Sequence, residues 1–153
     1  MDIRKGRHVV YAMHAHLIFV TKYRREVFDS DHLDLLESVF KSVCEDFECE
    51  LAESNGEDDH VHLVVNYPPK VQISKLVNSL KGVSSRQLAK KYGRLHRFFY
   101  KGVLWSPSYF AGSVGGAPIE VLKEYIQSQQ RPEGRGFSRL TDRTLGRWSN
   151  LNG

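Results

Sequence analysis

The stretch HVHLVVNY, residues 60–67, decides how this chain is read. In an extended chain successive side chains point to opposite faces, so Val61, Leu63 and Val65 share one face. His60 and His62 then project together from the other. The pattern predicts a strand with one face on a core, ended by Pro68-Pro69 because proline has no N–H to give a ladder. Two imidazoles side by side are half of a divalent-metal site. They are equally the solvated polar face of a half-buried strand, and the triplet by itself leaves both readings open.

Working outward, the neighbouring segments alternate between the two periodicities. Residues 9–21, VVYAMHAHLIFVT, are β-branched and aromatic and predict a strand. In residues 30–47 Leu33, Leu36, Val39, Phe40, Val43 and Phe47 recur at helical spacing behind a cap at Asp29 or Ser30. A short strand at Cys49–Glu53 and a polar turn at Ser54–Asp59 lead into the histidine strand. A second helix is expected over 71–91, with Ile73, Leu76, Val77, Leu80 and Leu88 on one side and a bend near Gly82 and Ser84-Ser85. Residues 108–114, SYFAGSV, predict a fourth strand. Gly115-Gly116-Ala117-Pro118 then links to a helix over 118–130, with Pro118 near its first turn. The order is βαββαβα. It defines an α+β fold, a ferredoxin-like or RRM-like antiparallel sheet with helices on one face, plus a C-terminal helix that carries Tyr125.

A chain of 153 residues is the size of one domain with a core of its own. We place that domain at residues 1–131. Residues 132–153 are expected to be an irregular basic arm, because Pro132, Gly134, Gly136 and Gly146 interrupt the arginines at every fourth position. No apolar run is long enough to span a bilayer, and the N-terminus lacks the apolar segment of a signal peptide. Cys44 and Cys49 form no CxxC pair and suggest reduced thiols of a cytoplasmic protein. The net charge of +4 is unevenly spread: residues 26–59 hold thirteen acids against Lys41. Residues 81–101 hold seven basic groups and no acid, interleaved with aromatics. That polarity suits single-stranded nucleic acid, whose phosphates meet Arg and Lys while its bases stack on rings. A solvated basic surface over core aromatics is the plainer alternative.

On the last helix Tyr125 and Gln129 are four apart and share a face. A tyrosine beside a polarised phosphodiester can serve as a nucleophile, and an amide oxygen is a reasonable hard ligand beside two imidazoles. Spacing alone does not select Tyr125 from the seven tyrosines. An ordered set of motifs does. Asp59-His60-Val61-His62-Leu63 resembles the HUH motif, and Tyr125-Ile126-Gln127-Ser128-Gln129-Gln130 resembles the tyrosine helix of the single-tyrosine HUH transposases, TnpA-type enzymes of insertion sequences that move as single-stranded DNA. Lys22-Tyr23-Arg24-Arg25, Leu80-Lys81-Gly82, Ser84-Ser85-Arg86, Leu104-Trp105, Ser108-Tyr109 and Val114-Gly115-Gly116-Ala117-Pro118 follow the same family in the same order. The resemblance covers residues 8–131.

What the resemblance implies is specific. Tyr125 is the nucleophile of a 5′-phosphotyrosine intermediate, and His60, His62 and Gln129 hold Mg²⁺ or Mn²⁺. The enzyme cleaves and rejoins single-stranded DNA at insertion-sequence ends and recognises DNA hairpins. It is a homodimer whose active sites take the histidines from one subunit and the tyrosine helix, in trans, from the other, with Gly115-Gly116 as the hinge. Lys22, Arg24, Arg25, Lys81 and Arg86 are the candidate DNA-backbone contacts. No nucleotide cofactor is expected, since the sequence has no phosphate-binding GxxxxGK[ST] loop, and no membrane partner. The alternatives are a domesticated HUH nuclease acting on repetitive palindromes, another HUH nuclease of the rolling-circle or relaxase type, and a non-catalytic RRM-like binding module.

Overall fold

The computed structural model describes residues 3–6, 8–98, 103–113 and 119–129. In chain order the elements are β1 (Arg4–Lys5), β2 (Val10–Tyr11), β3 (His14–Val20), α1 (Ser30–Asp46), β4 (Glu50–Gly56), β5 (His60–Asn66), α2 (Ile73–Lys91), β6 (Phe110–Ser113) and α3 (Ile119–Ser128). Short 3-10 turns occupy Lys22–Arg24 and Gly93–Phe98. Four strands form one sheet in the order β4-β5-β3-β6, and every pairing is antiparallel. This is the expected α+β arrangement, with β1 and β2 added as a separate small hairpin.

The first expected strand divides at Ala12-Met13, because its two halves have different partners. Val10 and Tyr11 pair with Arg4 and Lys5, whereas His14–Val20 lies between β5 and β6. β4 runs further than expected: Ser54, Asn55 and Gly56 pair with Leu63, His62 and Val61, so the turn shrinks to Glu57–Asp59. Gly56 is required there, since a Cβ would stand 2.6 Å from Leu33 Cδ2 and 3.1 Å from the His60 carbonyl oxygen. The bend expected near Gly82 is not found. α2 runs unbroken from Ile73 to Lys91, and buried Ser84 donates to the Lys81 carbonyl while accepting from Trp105 Nε1.

α1 starts where a capping box closes it. Asp29 Oδ1 accepts from the His32 N–H, and His32 Nδ1 accepts from the Asp29 N–H in the place usually taken by Glu or Gln. α1 and α2 bury Leu36, Phe40, Leu76 and Leu80 against Leu17, Phe19, Val61, Leu63 and Val65 of the sheet. The residues between those on the strands face the opposite side, where Ile18 and Val20 pack with Ile126 of α3. The sheet is therefore covered on both faces, by two long helices on one and by the tyrosine helix on the other.

Candidate functional site

All seven residues of β5 are buried. His60 and His62 do lie on the face opposite Val61, Leu63 and Val65, yet each is only 2% exposed. The solvated reading of the triplet is thereby replaced: both rings sit in the layer between the sheet and α3, opposite Val20 and Ile18 in register.

Each imidazole is held by a different partner. His60 Nδ1 donates to Asp59 Oδ1 at 2.8 Å, and Asp59 Oδ2 accepts from Arg24 Nε at 3.2 Å. Burial alone would raise the Asp59 pKa, but the contacts with His60 and Arg24 outweigh it and hold the carboxyl below its ordinary value. A carboxylate on Nδ1 fixes the orientation of the His60 ring, the usual support for a metal-binding histidine. His62 Nε2 lies 2.6 Å from His16 Nδ1, and the two rings stack at 4.8 Å with 14° between their planes. Burial, followed by the neighbouring His16 and His60, pushes the His62 pKa down to about 3. Burial likewise lowers that of His16. His62 is therefore neutral at pH 7, the form that can donate a lone pair to a metal.

The helix residues are held by the segment before β6. Tyr125 Oη is 3.1 Å from Ser108 Oγ, and Gln129 Oε1 accepts from Ser106 Oγ at 2.9 Å. Burial raises the Tyr125 pKa and the Ser108 contact opposes the rise. The Ser106 N–H donates to the Val20 carbonyl, and Val20 pairs with His60, which sets Gln129 at the His60 end of the sheet face. Tyr125 packs edge-on against Phe110 of β6. His60, His62, Tyr125 and Gln129 thus share one face. Among the described residues no group of three or more His, Cys, Asp and Glu is arranged to hold a metal. The donor set present is two imidazoles and one amide oxygen.

The expected DNA contacts divide. Arg24 is corrected: its side chain is fully buried and paired with Asp59, so it supports His60 from beneath and does not face a phosphate. The turn explains the burial. Tyr23 and Arg24 are both left-handed, at φ 59° and 53°. The Arg24 N–H donates to the Thr21 carbonyl and the Thr21 hydroxyl donates to the Arg25 carbonyl, which turns the arginine inward. Lys81 is largely occupied too, donating to the carbonyls of Ser106 at 2.6 Å and Ser108 at 3.0 Å, with its pKa lowered to about 8 by burial. Lys22 stands over the exposed Tyr23 ring and lines a cleft of about 250 Å³ with Ser106, Ser128 and Gln129. Arg25 is half-buried and Arg86 exposed. Gly115 and Gly116, and the arm after residue 131, lie outside the described residues.

Four contributors were given no role from the sequence. His16 had a signal, since His14-Ala15-His16 repeats the period-two histidine pattern of β5 one strand away. Ser108 appeared only inside the Ser108-Tyr109 motif, and Ser106 had no signal beyond its polarity. Asp59 stood next to the histidines but gave no sign of its buried arginine.

Residues 9–129 match the family described as "Transposase IS200 like". The ISDra2 transposase TnpA of Deinococcus radiodurans is 32% identical over 133 residues, covering 87% of this chain and 95% of that protein. The transposase for insertion sequence element IS200 of Salmonella typhimurium is 27% identical over 135 residues, covering 88% of each. A crystal structure of a candidate transposase from Deinococcus radiodurans R1 superposes with a TM-score of 0.78 at 31% identity, over 84% of this chain and 98% of that one. A REP-associated tyrosine transposase bound to a REP hairpin shares the fold at TM-score 0.50 and 16% identity, over 84% of this chain and 68% of that one.

Proposed function

The chain belongs to the family of IS200-like transposases, and on that premise we propose that it cleaves and rejoins single-stranded DNA at the ends of an insertion sequence. The observation that carries the reading is that α3, which bears Tyr125 and Gln129, packs through Ile126 on Ile18 and Val20, the residues that pair with His62 and His60. Tyr125 is the nucleophile: its oxygen bonds to phosphorus, the P–O3′ bond breaks, and the departing 3′ oxygen takes up a proton. The phenol proton is lost from Tyr125 in the same step. A 5′-phosphotyrosine results, and a second 3′-hydroxyl reverses the step on another strand end. The bond energy stays in the phosphotyrosine, so no nucleotide cofactor is required.

His60, His62 and Gln129 are the residues that would hold Mg²⁺ or Mn²⁺: Asp59 orients the His60 ring, burial keeps His62 in its neutral form, and the Gln129 amide oxygen is a hard donor. Such an ion supplies charge neutralisation on the phosphate oxygens. Asp59 and Arg24 fix the orientation of the His60 ring, and α3 presents Tyr125 to the same face. Lys22, Arg25 and Arg86 remain the contacts for DNA phosphates, and the exposed Tyr23 ring beside Lys22 suits a stacked base. Hairpin recognition is supported by the REP hairpin in the structure of the REP-associated relative. The working unit is a cytoplasmic homodimer in which α3 serves the partner's histidines.

The test is a covalent adduct. Hairpin-bearing single-stranded DNA with Mn²⁺ should give a protein–DNA species stable to denaturing electrophoresis, lost in Tyr125→Phe and kept in Tyr109→Phe. DNA binding with no adduct under either metal would refute the reading. Mixing the His60→Ala/His62→Ala variant with Tyr125→Phe should restore adduct if sites are shared. Absence of rescue between exchanging, folded variants would place each site within one chain.

A further inference from the structure

Two hydroxyl groups stand between the tyrosine and the glutamine of α3, and counting protons gives them a direction. Ser128 Oγ donates its single proton to the Tyr125 carbonyl at 2.6 Å, so toward Gln129 it can only accept. It does so from Nε2 at 3.2 Å. That contact orients the amide, with nitrogen toward Ser128 and oxygen toward Ser106. An amide oxygen has no proton, so Ser106 is the donor at 2.9 Å. With its own proton committed, Ser106 Oγ can only accept from Ser108 Oγ, 3.4 Å away and long for a hydroxyl pair. When Ser108 donates that way, the Tyr125 hydroxyl donates to Ser108 at 3.1 Å. The chain then runs one way, from Tyr125 through Ser108 and Ser106 to Gln129.

The two serines are themselves fixed by elements other than α3. Lys81 of α2 donates to both of their carbonyls, and the Ser106 N–H bonds the Val20 carbonyl of β3. Pro107 between them limits the backbone further. Trp105, next in line, is anchored to Ser84 of α2.

We propose that Ser106 and Ser108, clamped by Lys81, are positioning residues of the strand-transfer site: Ser106 turns the oxygen rather than the nitrogen of Gln129 toward the incoming cation, and Ser108 holds the Tyr125 hydroxyl. The proposal rests on the roles given to Tyr125 and Gln129 above. An amide oxygen has two lone pairs, so it accepts from Ser106 and keeps one for a ligand. Without the Ser106 hydroxyl the amide is free to rotate, and its nitrogen cannot ligate.

The two serines should separate in kinetics. Ser106→Ala should raise the Mn²⁺ concentration for half-maximal adduct about tenfold, as loss of an outer-shell partner does, while the single-turnover rate at saturating Mn²⁺ stays within twofold. Ser108→Ala should do the reverse, lowering that rate about tenfold at an unchanged Mn²⁺ requirement. Ser106→Thr and Ser108→Thr should restore the respective parameter. Independently of DNA and metal, the Ser106→Ala/Ser108→Ala double variant should raise amide exchange across 121–129 about tenfold, with β3 and β5 unchanged as the folding control. Unaltered exchange in the double variant, or both single variants within twofold of the parent in rate and Mn²⁺ requirement, overturns the proposal. A parent protein that forms no adduct refutes the transposase reading instead, and the amide exchange of the double variant still decides the positioning.

Discussion

Arg24 sits in the basic run Lys22-Tyr23-Arg24-Arg25, where a DNA contact is the natural expectation, and Arg24→Met distinguishes that role from the buried one. The Arg24 and Asp59 side chains are both 0% exposed and 3.2 Å apart. Methionine keeps most of the length and apolar bulk and removes the charge, so Asp59 loses its guanidinium inside the protein. Breaking one side of a buried pair costs about 3–5 kcal/mol. With a urea m-value of about 2 kcal/mol/M, the unfolding midpoint should fall by roughly 2 M. Arg24→Met/Asp59→Asn should recover part of the loss, because no uncompensated charge stays buried. Arg86→Ala, by contrast, should stay within about 0.5 kcal/mol. DNA binding provides the second axis. Removing one phosphate contact to a single strand lowers the slope of log K against log salt by about 0.7. That fall is expected for Lys22→Ala and not for Arg24→Met studied below its melting range. An Arg24→Met protein within about 1 kcal/mol of the parent, with its salt slope reduced, would refute the buried assignment and restore Arg24 to the DNA surface.

Acidification should destabilise the protein well before its carboxylates protonate. His62 has a folded pKa of about 3 against an ordinary 6.5, so the unfolded chain binds the proton first. Stability is whole above pH 6.5 and falls as pH drops toward 3, by roughly 2 kcal/mol at pH 5 from this residue, with His16 adding in the same direction. Denaturant midpoints that stay level between pH 7 and pH 5 would contradict this. Cys44 and Cys49, raised by burial to about 12 and 11, should resist a maleimide at pH 8 in the folded protein and react at once in urea. Gly56→Ala should cost about 1–3 kcal/mol in thermal or denaturant unfolding, since its Cβ meets Leu33 and the His60 carbonyl. Leu33→Ala in the same chain should relieve only the side-chain half of that clash.

The two periodicities were enough for α1, α2 and β5, because their apolar residues face the single large core between helices and sheet. They failed where the local pattern had two solutions. VVYAMHAHLIFVT reads as one strand, and only the separate partner Arg4–Lys5 makes it two. Gly82 reads as a bend, and the indole of Trp105, twenty-three positions away, supports the straight helix through Ser84. The site divides in the same manner. His60 and His62 are visible as a period-two pair, and Tyr125 and Gln129 as an i, i+4 pair that the family motifs single out. Arg24 is not visible, because its burial depends on two consecutive left-handed residues, neither of them glycine. Such backbone costs about 1–2 kcal/mol per residue and is offset in part by the pairing with Asp59, thirty-five positions on.

The second face of the sheet also explains how a buried site can admit DNA. Among the described side chains of α3, Ile126 is the buried one, packed on Ile18 and Val20. Burying one isoleucine is worth about 1.5–3 kcal/mol. The contacts of Ser106 with Gln129 and of Ser108 with Tyr125 add about 0.5–1.5 kcal/mol each. The described hold of α3 on its sheet is thus a few kcal/mol, small beside the core that α1 and α2 close on the other face. If α3 lifts, Asp59 and Arg24 still fix the His60 ring from the other side. The proposed trans arrangement would require a second sheet to offer α3 the same Ser106–Ser108 cradle. Ile126→Ala should therefore loosen α3 in amide exchange by about 2 kcal/mol or more while leaving β3 and β5 protected. Joint loss of protection in helix and sheet would mean that α3 belongs to the core and cannot be a moving part.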